Sequence, residues 1–477
     1  MTASHPLGPL EVVAEANRCL YCHDAPCSRA CPAAVDVPTF IRKIGTDNLL
    51  GAARVILEAN VMGGTCARVC PTEVLCEGAC VLKNERLRPV AIGRLQRYAT
   101  DWAKERGKNP LLQSAAAPSG RLPVAAAKTA AAQTTAAKTA GGAASGRVAV
   151  VGAGPAGLAC AAELARLGHG VTIYEATSQA GGLPGQAIPP FRLPGEVPAW
   201  EASLVRELGV EFKGGVQVGK DISYSDLLTR YDAVFLGVGR GGVPGLGIPG
   251  EELDGVYEAL TFLRATRATR STRADPLPDL GGRVVAVIGG GNTAIDAATS
   301  AARLGAERVM VLYRRTEAEM PAYASEYRFA LDEGVEFQWL TAPVKILGDG
   351  RVRAVRCVHM ARGEPDASGR PRPKPVPGSE HELAVDVIIN ATGQGPRADF
   401  FAGTDLKLEG GRLKVNEDLQ TANPRVFAAG DCLGTPDATV VQAVGQGKRA
   451  AAGIHLHLGG DDGASGDGGE RTGVTNG

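Results

Sequence analysis

Eight of the eleven cysteines in this 477-residue chain lie within its first 80 residues. Cys19, Cys22, Cys27 and Cys31 read C-x2-C-x4-C-x3-C followed by Pro32. Cys66, Cys70, Cys76 and Cys80 read C-x3-C-P-x4-C-x3-C. So short a segment holds little apolar core of its own and must be organised around whatever its thiolates bind. Clustered short spacings in a large chain point to metal ligation, whereas a disulfide scaffold spreads its cysteines through a small secreted domain. Cys160, Cys357 and Cys432 stand apart and read as packed or incidental residues.

Two zinc sites also use eight cysteines, and C-x2-C is a common zinc spacing. The runs with three- and four-residue gaps and a Cys-Pro step instead resemble the bacterial ferredoxin run, whose last cysteine serves a second cluster. That resemblance implies two 4Fe–4S clusters. Apolar residues recur at helical spacing over Pro38–Ile44, Leu49–Asn60 and Ile92–Trp102. Residues 1–107 are therefore expected to form a small helical domain around those clusters.

The formal net charge is zero, which gives no general electrostatic reason to expect a nucleic acid or an anionic membrane as partner. No apolar run approaches the ~20 residues needed to span a bilayer. Residues 1–15 lack a basic segment followed by an apolar core, so they do not read as a secretory signal and a cytoplasmic location is expected. Residues 108–146, rich in Ala, Lys, Thr, Pro and Gly, read as a flexible linker, and residues 459–477 as a disordered tail.

At Val148 the pattern changes to an apolar strand, then Gly152-Ala-Gly154-Pro155-Ala156-Gly157, a helix to Gly168, and a strand Val171–Tyr174 ending in Glu175. Strand, glycine turn, helix and a distal acid are the context a dinucleotide fingerprint requires. The glycines admit a pyrophosphate at the helix N-terminus, and Glu175 can bond a ribose. A second unit starts at Val284 and reads Gly289-Gly290-Gly291-Asn292-Thr293-Ala294, but its next strand ends in Arg314-Arg315 rather than an acid. A guanidinium pairs with a 2′-phosphate that a carboxylate would repel, so NADPH is favoured there and NADH is the alternative. Further on, a strand over Asp386–Asn390 enters a tight turn at Thr392-Gly393. The strand Val426–Ala429 runs into Gly430-Asp431, ahead of a helix over Thr439–Ala452. An Asp so placed can hold a ribitol hydroxyl.

The two motifs, about 135 residues apart, together with the Ala-Thr-Gly and Ala-Gly-Asp turns, resemble flavoprotein reductases of the glutathione/thioredoxin reductase type over residues 147–458. The resemblance implies FAD on the first motif and NAD(P)H on the second. No redox-active C-x-x-C follows Cys80, so disulfide reduction is not expected. The fold class is α/β. A helical two-cluster iron–sulfur domain precedes two Rossmann-like domains, with the FAD domain split into 147–280 and 384–458 and the NAD(P)H domain inserted at 281–383.

The whole chain resembles a narrower family, through Arg18-Cys19-Leu-Tyr-Cys22, Asp24-Ala-Pro-Cys27, Cys70-Pro-Thr-Glu73, Ile92-Gly-Arg-Leu-Gln96, Gly181-Gly182-Leu183 and Phe191-Arg192-Leu-Pro. These are the NAD(P)H-oxidising subunits of PreT type, the N-terminal half of dihydropyrimidine dehydrogenase and the glutamate synthase small subunit. The resemblance adds Gly182, Leu183 and Arg192 to the cofactor-binding residues. It gives one cluster to Cys19, Cys22, Cys27 and Cys80, and the other to Cys31, Cys70, Cys76 and the side chain of Gln96, leaving Cys66 a bystander. Chemistry alone prefers the Cys66 thiolate. The implied function is electron transfer from NADPH through FAD and the clusters to a partner subunit bearing FMN. That partner is a dihydropyrimidine dehydrogenase barrel or, alternatively, a glutamate synthase large subunit, since this sequence holds neither an FMN barrel nor an acid/base constellation. A non-catalytic scaffold is the alternative of another class.

Overall fold

The computed structural model describes residues 6–112, 145–267, 277–366, 369–435 and 438–460. Most of the expected tail and most of the expected linker lie outside the described residues. The start of that linker does not behave as one. Asn109 Nδ2 bonds Glu207 Oε2 at 2.9 Å and Leu111 is buried, so residues 109–111 are fixed against the helix Glu196–Glu207.

The cysteine segment is helical, as its periodicity predicts. Its principal helices are Pro9–Ala16, Val37–Gly45, Leu49–Ala59, Gly63–Val69 and Ile92–Glu105. Asp36 and Asn48 cap the second and third by accepting from Thr39 N and Gly51 N, which satisfies amides that helix starts leave unpaired. Buried Glu15 accepts from Ala91 N at 2.7 Å and pairs with Arg18 and Arg88, closing the first cysteine run onto the helix of Gln96. Arg68 forks onto Asp101 at 2.7 and 2.8 Å, tying the Cys66 helix to the same element.

Two five-stranded parallel sheets follow. The first runs Val426–Ala428, Ala233–Leu236, Arg147–Val151, Gly170–Glu175, Glu211–Gly214. The second runs Val256–Glu258, Val387–Asn390, Val284–Ile288, Arg308–Tyr313, Glu336–Trp339. Alternate residues of each strand face opposite layers. Val285 and Val287 pack on the helix Asn292–Arg303, while Ala286 and Ile288 face an antiparallel sheet carrying Val352 and Val355.

This topology corrects two expected boundaries. Val387–Asn390 does not return to the first domain at residue 384. It inserts between Val256–Glu258 and Val284–Ile288 as an inner strand of the second sheet, and its apolar run Val387–Ile389 reads alike in either sheet. The second domain thus occupies roughly residues 240–396. Its two crossings are hydrogen-bonded to each other, Gly241 N to Gly395 O and Gly395 N to Gly242 O, both at 3.0 Å.

The cluster domain and the first sheet share one core. Phe40, Ile41, Ile56, Leu57 and Leu95 join Leu158, Val444 and Ala451 in a continuous apolar cluster. Lys448 donates to Ala59 O at 3.0 Å, at the end of a cluster-domain helix. A Cβ on Gly445 would stand 2.2 Å from Pro32 O, so only glycine allows this approach beside Cys31.

Glu201 lies fully buried at the same interface, accepting from Thr65 N at 2.9 Å and Thr65 Oγ1 at 2.5 Å. Burial pushes its carboxyl up to about 7, against the pull of the Thr65 and Gly64 bonds and of Arg68. Because the folded-state value is raised, the stability it contributes is whole below the ordinary value of 4.5 and is lost as pH rises through about 7. The loss is on the order of 3 kcal/mol. Glu201→Gln should flatten that dependence. Denaturant midpoints at about pH 5 and about pH 8 should fall for the parent and stay level for the variant.

Candidate functional site: a convergence of two nucleotide cavities and the cysteines

A cavity of about 430 Å3 opens at the carboxyl ends of the first sheet, where open α/β sheets bind ligands. Gly152, Gly154, Pro155, Ala156, Glu175, Gly182, Leu183, Arg192, Gly430 and Asp431 all line it. Gly157 does not line the cavity; it sits beneath the loop, and a Cβ there would meet Gly152 O at 1.9 Å. Glu175 is buried and bound at both oxygens, one to Ala153 N at 2.8 Å and the other to Thr177 N at 2.9 Å. It therefore fixes the glycine turn as well as facing the cavity. Gly430 N donates to Gln446 Oε1 at 2.8 Å, and burial raises the Asp431 carboxyl against the pull of Arg240. The glycine cradle, the acid at the second strand and Asp431 together fit a dinucleotide flavin.

A second cavity, of about 510 Å3, is lined by Gly289, Gly290, Gly291, Thr293, Arg314, Arg315 and Gly393. Gly393 thus belongs here, and not with the first domain as its place in the sequence suggested. Asn292 lines the first cavity instead, and Ala294 is buried beneath the loop. Gly289 has φ +141°, and a Cβ there would stand 2.3 Å from Ala391 O. The two arginines differ. Arg314 is exposed, whereas Arg315 is buried and held by Asp366 at 2.8 Å and Pro371 O at 3.2 Å.

Arg192 has partners that no local signal announces. Its guanidinium bridges Asp296 Oδ1, at 2.5 Å, and Glu326. These lie 104 and 134 residues away on the second domain. Burial works against the Arg192 charge, but the two carboxylates hold it well up. Burial raises Glu326 to about 7 in spite of Arg192, and Glu326 Oε2 is buried without a hydrogen-bond partner.

The cysteines fall into two groups. Cys19, Cys22, Cys27 and Cys80 line one small cavity with Leu20, Val37 and Ile41. Cys31, Cys66, Cys70 and Cys76 neighbour one another: the Cys66 thiol bonds Cys70, and Cys31 lies within electrostatic reach of Cys66, Cys70 and Cys76. Gln96 is buried with its amide nitrogen on Gly63 O at 2.7 Å, so its oxygen is the atom left for ligation. Burial raises the thiols of Cys19, Cys31 and Cys76, and takes Cys27 to about 11. For Cys70 the bond with Cys66 contributes first and burial next. Such thiols become thiolates when a cationic centre supplies the opposing charge. Among the described residues, no three His, Cys, Asp or Glu side chains form a group that could hold a single metal ion.

Val69 and Pro71, on either side of Cys70, line the first cavity alongside Asn292 and Thr293 of the second domain. All three parts of the chain meet there.

Residues 2–108 match the family described as dihydropyrimidine dehydrogenase domain II, 4Fe-4S cluster, and residues 146–447 the family described as pyridine nucleotide-disulphide oxidoreductase. The chain belongs to the pyridine nucleotide-disulphide oxidoreductase family and carries a 4Fe-4S domain ahead of the reductase domains. It is 36% identical to the glutamate synthase [NADPH] small chain of Escherichia coli K12, over 94% of this chain and 92% of the relative. It is also 36% identical to the NAD-dependent dihydropyrimidine dehydrogenase subunit PreT of the same organism, over 94% and 95%. Mycobacterium tuberculosis FprA in complex with NADPH superposes with a TM-score of 0.58 at 21% identity, covering 66% of this chain and 85% of that one. It shares the reductase fold of the two nucleotide domains. The protein is an oxidoreductase with FAD, nicotinamide-nucleotide and 4Fe–4S sites. No helix among the described residues is long and apolar enough to cross a membrane.

Proposed function

We propose that this chain is the electron-input subunit of a larger enzyme, taking electrons from NADPH and delivering them singly to a catalytic partner. The observation behind this reading is the convergence at the first cavity, whose wall combines the glycine cradle, the start of the Asn292 helix and both neighbours of Cys70. When bound, FAD supplies the exchange between two-electron nicotinamide chemistry and one-electron cluster chemistry. The protein's part is positioning. Gly152, Gly154 and Gly157 let the backbone approach a pyrophosphate, Glu175 holds the turn against the ribose, and Asp431 faces the ribityl chain. Gly289–Ala294 do the same for the nicotinamide coenzyme. Cys19, Cys22, Cys27 and Cys80 ligate one cluster, and Cys31, Cys70, Cys76 and Gln96 the other. Cys66 is a hydrogen-bonding neighbour of the second.

Exposed Arg314 takes the 2′-phosphate, and Arg315 braces its strand end through Asp366. Loss of a charge-assisted phosphate contact costs about 2 kcal/mol, or roughly thirtyfold. Arg314→Ala should raise KM for NADPH by about that factor and leave NADH unaffected. Arg315→Ala should lower stability instead. Steady-state kinetics with both coenzymes, beside thermal unfolding, separate the two roles.

For the partner, an FMN-bearing dihydropyrimidine dehydrogenase barrel is supported by the family matched by residues 2–108. A glutamate synthase large subunit is supported by near full-length likeness to its small chain. Mixing the holoprotein with each candidate should yield NADPH-driven turnover of pyrimidine or of glutamine plus 2-oxoglutarate. Turnover with neither would sink both assignments.

A further inference from the structure

The helix Ala324–Asp332 of the second domain begins without a cap of its own, since its N-cap residue Tyr323 makes no side-chain cap bond. The missing acceptor comes from another domain. Glu73, three residues beyond Cys70, accepts from Ser325 N at 3.1 Å, and Arg328 lies 3.7 Å from its other oxygen. A carboxylate at a helix start satisfies an amide that would otherwise be orphaned and complements the positive end of the helix dipole.

This start sits at a junction. Tyr323 N donates to Asn292 Oδ1 at 3.1 Å, at the opening of the helix that follows Gly289–Gly291. Glu326, one residue past Ser325, reaches Arg192 of the first domain beside Asp296. Tyr323, Glu326, Asn292 and Asp296 all line the cavity walled by Val69 and Pro71. The second domain joins the first through only two glycine-rich crossings among the described residues, where Gly239 has φ +66° and Gly393 +117°. Glycine-rich crossings permit reorientation. Its pose is therefore set by side-chain contacts, among them Arg192 on its carboxylates and Arg267 on Leu193 O at 3.0 Å. Glu73 adds a contact from the cysteine domain.

We infer that Glu73 is a positioning residue, a cap supplied in trans by the cluster-binding loop that pins the nicotinamide-binding domain in the pose facing the flavin cavity. Electron input and cluster loading are thereby coupled in one chain: a cysteine loop folded around its cluster presents Glu73, and an unfolded one does not. The inference rests on the proposed NADPH-to-flavin direction for its kinetic consequence, but not for the cap itself.

The test uses the full-length, cofactor-loaded protein with Glu73→Ala and Glu73→Gln. In the alanine variant, amide hydrogen exchange across residues 322–332 should quicken about fivefold, the equivalent of one lost hydrogen bond. Anaerobic flavin bleaching by NADPH should slow about tenfold through misplacement. Glutamine keeps a carbonyl acceptor, so it should restore both to within about twofold of the parent. Unchanged exchange in Glu73→Ala would overturn the cap, and quickened exchange with unchanged bleaching would overturn the positioning role. If NADPH fails to bleach the parent itself, the functional reading is what fails, and the exchange data still decide the cap.

Discussion

Protein carrying Cys76→Ser is expected to keep its flavin and to be bleached by NADPH more slowly, as loss of the Glu73 contact requires, yet to deliver no electrons above background to an external one-electron acceptor. Cys76 is fixed within the second cysteine group, among Cys31, Cys66 and Cys70. Removing a thiolate from a centre whose binding energy is also folding energy loses the cluster and loosens its loop. The glycine cradle, Glu175 and Asp431, which line the first cavity from the first sheet, would survive even though Val69 and Pro71 of the loosened loop also wall it. The same assay ranks the eighth ligand. Gln96→Ala should shift the cluster's spectrum, because the carboxamide oxygen opposite the Gly63 bond is lost. Cys66→Ala should leave the cluster assembled. The reverse pattern would transfer ligation to Cys66. Iron content, visible absorbance and acceptor reduction measured on one preparation distinguish these outcomes.

The second large effect concerns one glycine. Gly157→Ala should abolish FAD binding and lower stability by about 3 kcal/mol, because overpacking at a backbone contact cannot relax by rotamer change. A Cβ there would lie 1.9 Å from Gly152 O and 3.3 Å from Val150 Cγ1, and Gly152 is itself at φ +98° against Gly237 O. The turn would have to open, taking with it the Ala153 amide that Glu175 holds. Gly291→Ala is the contrasting case, since nothing lies within 4 Å of its added methyl. It should fold normally and weaken only coenzyme binding, where the methyl meets the pyrophosphate. Flavin stoichiometry and denaturant midpoints, taken beside coenzyme titration, read the two glycines apart.

These contrasts show how much of the molecule local sequence can express. Both glycine motifs, their flanking strands and the helices of the cysteine domain were legible because each is set by periodicity and turn chemistry within some 30 residues. The Val387–Asn390 strand was misplaced because an apolar run of three fits an inner position of either parallel sheet. Only its pairing with Val256–Glu258 and Val284–Ile288 decides between them. At the site, Glu175 and Asp431 were visible as acids at strand ends. Arg192 was visible only through a motif, and its partners Asp296 and Glu326 were not. Nor was Glu73, whose bond to Ser325 spans 252 residues. Contacts between domains leave no period in the chain. The arginine pair was half legible: Arg314 and Arg315 look equivalent in sequence, and Asp366 separates them.

The central claim is that electrons from NADPH reach the clusters through the flavin of this one chain. The direct measurement is an anaerobic titration with NADPH under regeneration, following the flavin by absorbance and the clusters by paramagnetic resonance. The expected result is bleaching of the flavin bands together with the appearance of reduced-cluster signals, with the Cys76→Ser and Cys27→Ser variants each losing the signal of the one cluster that its cysteine ligates. A flavin that bleaches fully while clusters reducible by dithionite stay silent would contradict it.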